Sequence, residues 1–123
     1  MSVSTGLVRL KRRADFLRVA AVRRRAVRDG LVLQAALQPE AETGELRVGY
    51  TASRRVGNAV VRNRAKRRLR AAAAEVLARD GRKGTDYVLI ARADTPSRPY
   101  RELVGDLAGA LRQVERRRGE GRS

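Results

Sequence analysis

The sequence predicts an α+β sandwich with elements in the order α-β-β-α-β-α, a small sheet carrying helices. Three observations predict it. Short stretches alternate apolar and polar residues as strands do. Longer stretches repeat apolar residues every three to four positions. Glycine, aspartate and proline punctuate the boundaries. With 123 residues the chain is expected to form a single domain over residues 1–123, its ordered core spanning about 9–115. Hydrophobic residues make up 42% and aromatics only 3%, so aliphatic side chains and alanine must fill that core.

Residues 1–8 carry no pattern and are expected to be a flexible lead-in. In ADFLRVAAV, residues 14–22, Phe16, Val19, Ala20 and Val22 recur at helical spacing and predict a short helix. A basic stretch with Arg23, Arg24, Arg25 and Arg28 follows, ending at the turn signal Asp29-Gly30. LVLQAAL, residues 31–37, predicts a strand with Leu31, Leu33, Ala35 and Leu37 on one face and Val32, Gln34 and Ala36 on the other. The polar connection QPEAETGE, 38–45, holds the main acidic cluster, Glu40, Glu42 and Glu45. In ELRVGYTA, 45–52, Leu46, Val48, Tyr50 and Ala52 alternate with Arg47, Gly49 and Thr51, a second strand that predicts an antiparallel hairpin with the first.

SRRVG, 53–57, leaves the strand, and Asn58 is a candidate helix N-cap. A long helix is predicted from there to about Arg79, stopping at Asp80-Gly81. TDYVLIARA, 85–93, predicts a third strand, nearly all apolar at its centre. If it runs parallel to the second strand, the long helix is a crossover connection. Pro99 suits the first turn of the last helix, whose stripe is Leu103, Leu107, Ala110, Leu111 and Val114. Residues 116–123 are expected to form a flexible tail.

Charge narrows the function. The net charge is +16, from 29 Lys and Arg against 13 Asp and Glu. Self-repulsion of that size disfavours a compact state unless an anionic partner neutralises it, and nucleic acid leads the candidates. An anionic membrane surface ranks second, but no apolar run reaches the roughly 18 residues of a spanning helix. The opening MSVSTGLVRLKRR lacks the apolar core of a signal peptide, so a cytoplasmic location is expected. Cysteine and histidine are both absent. That excludes disulfides and thiolate metal sites and removes the commonest metal ligand and general base. Catalysis by the polypeptide alone is not expected, nor a metal site, a bound cofactor or a small-molecule substrate.

The densest charge lies in VRNRAKRRLR, residues 61–70, with six cations and no carboxylate. At 100° per residue, Val61, Ala65, Leu69, Ala72 and Val76 fall within roughly 80° of arc and predict a buried stripe. Arg62, Asn63, Lys66, Arg67 and Arg70 occupy an arc about 140° wide beyond it, with Arg64 and Arg68 on the remaining flank. A solvated helical face is the plain alternative. Against it, no glutamate sits at i±4 among residues 60–74, so the cations repel one another by about 0.2–0.5 kcal/mol per pair. Most of them are arginine, whose planar fork suits phosphate and base edges. Both facts favour a nucleic-acid-binding face. Arg54 and Arg55 precede the helix, where its N-terminal amides add positive potential. Phe16 suits the core or a stacking platform, and Gln34 suits solvent or a base contact.

RVGYTASRRVGNAVVRNRAKRRLR, residues 47–70, closely resembles the signature of the protein subunit of bacterial ribonuclease P. RLKRRADFLRV, 9–19, is similar to that family's opening helix, and DYVLIARAD, 86–94, to its third strand. The resemblance implies a four-stranded sheet with a left-handed βαβ crossover, like the ribosomal protein S5 domain 2-like fold. It implies a holoenzyme that removes the 5′ leader of precursor tRNA, with an RNA catalyst that requires Mg²⁺. The partners it implies are the catalytic RNA and the precursor tRNA. By position, Arg62, Asn63 and Arg64 match the R-N-R triplet. With Arg54, Arg55, Asn58, Lys66, Arg67 and Arg70 they would dock on the catalytic RNA. Arg13, Phe16, Val32, Gln34, Gly49, Thr51 and Arg55 would form a cleft for the leader. This chain departs from the family where Ala20 replaces a second aromatic and Gln34 a tyrosine. Two other classes remain open at this point: a ribosomal protein or RNA chaperone, which the composition fits equally, and a self-sufficient nuclease, which needs clustered carboxylates.

Overall fold

The computed structural model describes residues 6–39 and 44–120, with side chains described as far as Arg116. The elements are β1 (Leu7–Arg9), α1 (Arg13–Val22), β2 (Arg25–Val27), β3 (Leu31–Leu37), β4 (Leu46–Thr51), α2 (Ala59–Asp80), β5 (Thr85–Ala91) and α3 (Tyr100–Glu120). The strands form one mixed sheet in the order β1-β4-β5-β3-β2.

The predicted hairpin does not form. β5 lies between β3 and β4, antiparallel to the first and parallel to the second. The reason is the apolar content of β5: six of its seven residues are buried, which only a strand covered on both faces achieves. A β3–β4 hairpin would have pushed it to an edge. Gly84, just before β5, instead joins the end of β3 to the start of β4: Gln38 N–H donates to Gly84 O and Gly84 N–H to Glu45 O. Glu40 and Glu42 of the acidic cluster lie outside the described residues. Because β4 and β5 are parallel, α2 is the crossover connection between them.

The sheet has five strands rather than four. β1 arises partly from the expected lead-in, and β2 from the basic stretch after α1. Each has three residues and forms an edge, where short, charged strands are the rule and alternation is too brief to show. At the other terminus α3 continues to Glu120, into the expected tail. Residues 115–118 are all good helix formers, and the first glycine after them is Gly119.

The two sheet faces carry separate cores. On one, Leu31, Leu33, Val48, Tyr87 and Leu89 pack against Ala65, Leu69, Ala72, Ala73, Val76 and Leu77 of α2 and the predicted stripe of α3. On the other, Ala36 and Val88 meet Leu10 and Val19, with Phe16 and Ile90 partly buried. Ala36 keeps to the face predicted for it, with Val32 and Gln34, and is buried there beneath α1, while Leu37 is 52% exposed at the strand's end.

Three tyrosines give the fold an alkaline limit. Burial raises Tyr50 to about 12, and burial with a hydrogen bond to Glu75 raises Tyr100 to about 12. Burial also raises Tyr87, whose hydroxyl accepts from Arg82 N–H at 3.1 Å. In the unfolded chain the phenols ionise near pH 10, before the folded ones do. Stability is therefore complete below about pH 10 and falls between about pH 10 and 12. Urea unfolding across that window, alongside tyrosinate absorbance, should show this loss. Flat stability to pH 12 would contradict it.

Candidate nucleic-acid interface

The interface is built around α2. Asn58 caps it: the Asn58 Oδ1 accepts from Val61 N–H at 3.0 Å. This is the cap the sequence predicts, and Asn58 is itself exposed. Gly57 precedes it at φ +152°, where a Cβ would come within 2.7 Å of Val61. A side chain there is excluded twice, by backbone and by space.

The buried arc of α2 is wider than the sequence wheel predicts. Ala73 and Leu77 are buried along with Ala65, Leu69, Ala72 and Val76, which shifts the arc's centre by about 50°. The alanine run at 71–74 hides this, because it has no polar contrast. Arg62 and Lys66 fall on the shifted side and are half-buried, not outward as expected. The Arg62 Nε is buried with no hydrogen-bond partner. Asn63, Arg64, Arg67 and Arg70 are exposed. Arg68 is structural: its guanidinium donates to Thr95 O at 3.0 Å and to Arg98 O, tying α2 to the start of α3.

Arg54 and Arg55 are exposed in a tight turn, where Val56 N–H donates to Ser53 O and Gly57 N–H to Arg54 O. They lie in the chain between the end of β4 and the first turn of α2. Among the described residues, Arg54, Arg55, Arg64, Arg67 and Arg70 form no ion pair. The first acid on α2, Glu75, is engaged by Arg101 and Tyr100. The exposed face is thus a field of uncompensated positive charge.

On the opposite side of the sheet the strand register assembles the other predicted residues. Aligned neighbours point to one face. Thr51 aligns with Ile90, and Ile90 with Val32; Gly49 aligns with Val88, Val88 with Gln34, and Gln34 with Arg25. Val32, Gln34, Gly49 and Thr51 therefore share one floor. The Phe16 ring lies over Gly49, where an added Cβ would approach it to 2.5 Å. Phe16 is half-buried, so it serves the core and the floor together. Helix geometry puts Arg13, Phe16 and Ala20 on one flank of α1.

Ala20, Arg23, Arg25 and Gln34 line a recess of about 430 Å³ beside this floor. Arg23 closes α1 in the left-handed conformation, φ 61°, ψ 18°, a position glycine usually takes. Arginine there costs about 1 kcal/mol, yet it adds charge to the recess. Arg25 and Ile90 were missed in the sequence. β2 is hidden in an arginine-rich run, and Ile90 looked like core.

A buried ion cluster holds α1 to the sheet. Asp86 of β5 is fully buried, and its two oxygens each accept from Arg47 at 2.7 Å and one also from Arg18 of α1. Asp15 stands 3.6 Å from Arg18 and 3.9 Å from Arg47. Among the described residues no three histidine, cysteine or carboxylate side chains group so as to hold a metal ion. No described helix is long and apolar enough to cross a membrane.

The Ribonuclease P family model matches residues 6–115. The ribonuclease P protein component of Paramagnetospirillum magneticum is 53% identical over 110 residues, covering 88% of this chain and 83% of that one. The same component of Ruegeria pomeroyi is 50% identical over 112 residues, covering 90% and 89%. The solved RNase P protein of Staphylococcus aureus superposes with a TM-score of 0.69 at 25% identity, over 85% of this chain and 92% of that one. That of Thermotoga maritima shares the fold, with a TM-score of 0.65 at 23% identity over 88% and 96%.

Proposed function

The chain belongs to the ribonuclease P protein family, and from that premise we propose that it is the protein subunit of a holoenzyme that matures the 5′ end of tRNA. It docks on the catalytic RNA through the outer face of α2 and holds the precursor leader across the floor beneath Phe16. The observation that carries this reading is the row Asn63, Arg64, Arg67 and Arg70, exposed, preceded by Arg54 and Arg55, and without carboxylate partners among the described residues.

The chemistry is hydrolysis of a phosphodiester, assigned here to the RNA and its Mg²⁺. The protein's part is binding. A chain without histidine or cysteine has neither of the side chains that most readily exchange protons near neutral pH. Its arginines stay charged and instead raise the local concentration of phosphate. Such a subunit works in the cytoplasm, where tRNA is made. Reconstitution tests the proposal. The protein alone should cleave nothing. Added to its RNA, it should lower the Mg²⁺ requirement and tighten precursor tRNA binding relative to mature tRNA. Both quantities unchanged would overturn it.

The leader cleft lacks two aromatic platforms, each worth about 1–3 kcal/mol per stacked base. Arg23 and Arg25 line its recess and Arg13 stands on the adjoining flank, so charge takes their place. Leader affinity should fall steeply with salt, by a slope of about −0.7 per phosphate contact, and depend little on base identity. A titration of leader-bearing tRNA over a salt series reads the slope; a value near zero would sink this mode of grip.

A further inference from the structure

A second recess lies on the α2 side of the sheet, where the edge strand β1 meets the helix. Leu7 and Arg9 of β1, Val48 and Tyr50 of β4, and Arg70 and Ala74 of α2 line about 230 Å³. Register explains the arrangement. Leu7 aligns with Leu46 and Arg9 with Val48, so both point toward α2. Tyr50, two residues beyond Val48, shares that face, and Arg70 and Ala74 stand one turn apart on the helix.

The walls are apolar and the rim is cationic. The Tyr50 ring, Val48, Leu7 and Ala74 form a slot. Arg9 and Arg70 are exposed and form no ion pair among the described residues. The Tyr50 side chain is half-buried, and its hydroxyl has no hydrogen-bond partner among the described residues. Arg9, Arg70 and Tyr50 line the same recess, which brings three donor side chains to it. Burial keeps the phenol protonated, and so a donor, throughout the physiological range. Three donor side chains around an apolar slot, with no carboxylate among the residues that line it, describe the complement of a nucleotide: a flat heterocycle with an anion attached. The volume lies below the ≈ 300–1,000 Å³ of whole-ligand pockets, so it suits one base rather than a complete cofactor.

We propose that this recess receives one unpaired nucleotide of the RNA that α2 docks, its base against Val48 and Tyr50 and its phosphate between Arg9 and Arg70. The inference rests on the docking reading above and adds to it a site for a particular nucleotide. Proteins read RNA chiefly through unstacked bases of this kind.

The test uses the full chain and the holoenzyme RNA. Arg9→Ala should weaken binding by about 5- to 100-fold and reduce the magnitude of the salt slope by about one phosphate contact. Tyr50→Phe should weaken it several-fold without changing the slope. Nucleotide-resolution probing should show one unpaired position, protected by the unaltered protein, that becomes reactive in both variants. If both variants bind and protect like the unaltered protein while Arg64→Ala weakens binding, the recess proposal falls and α2 docking stands. If the unaltered protein does not bind the RNA, the docking reading itself fails. A changed slope with no change at any single base would mean a phosphate contact only, and would overturn base insertion. Tighter binding after deletion of residues 2–5, with Arg9→Ala silent, would assign the slot to the chain's own N-terminus and overturn the proposal.

Discussion

Asp86→Ala should lower the unfolding free energy by about 3–5 kcal/mol, as breaking a buried ion pair from one side generally does. The carboxylate is fully buried and shared by Arg47 of β4 and Arg18 of α1. Its loss leaves two guanidinium groups against the sheet, with the Asp15 carboxylate more distant from both. Because Arg18 lies on α1, the helix that seats Phe16 should loosen with it. Denaturant unfolding and leader affinity should therefore fall together. A stability change under about 1 kcal/mol would show that the cluster does not hold α1.

The two sides of α2 should separate cleanly on mutation. Leu69 is fully buried in the larger core, and Leu69→Ala should cost about 2–5 kcal/mol through lost transfer energy and the cavity left behind. Arg64 is exposed, and Arg64→Ala should change stability by no more than about 0.5 kcal/mol while weakening assembly with the RNA. Thermal unfolding and RNA binding of both variants decide it. Equal losses of stability would contradict a helix with one structural and one binding face.

Much of this was legible in the sequence, and the gaps have physical causes. β3, α2 and β5 stand where their periodicity put them, because each is long enough for a pattern to repeat. Strand pairing was less legible. Two neighbouring alternating segments imitate a hairpin, and only the doubly buried demand of β5 separates them. β1 and β2 are too short for a period and too charged to look like strands. The wheel located the cationic face, but the alanine run at 71–74 offered no contrast to centre it, so Arg62 and Lys66 were placed too far outward. Arg64 and Arg68 looked equivalent on the wheel. The segment between β5 and α3 separates them, because its carbonyls accept from Arg68 and it gives no hydrogen bond to Arg64. Arg25 needed β2 to be recognised before it could be placed beside Gln34.

The central claim is that the exposed face of α2 selects one structured RNA. The most direct measurement is sequencing the RNA that copurifies with the tagged chain and with an Arg64→Ala, Arg67→Ala, Arg70→Ala variant. The account predicts that a single structured RNA, the catalytic subunit, dominates the unaltered protein's bound fraction and is lost from the variant. Predominantly ribosomal RNA, or the same RNA retained equally by both proteins, would contradict it.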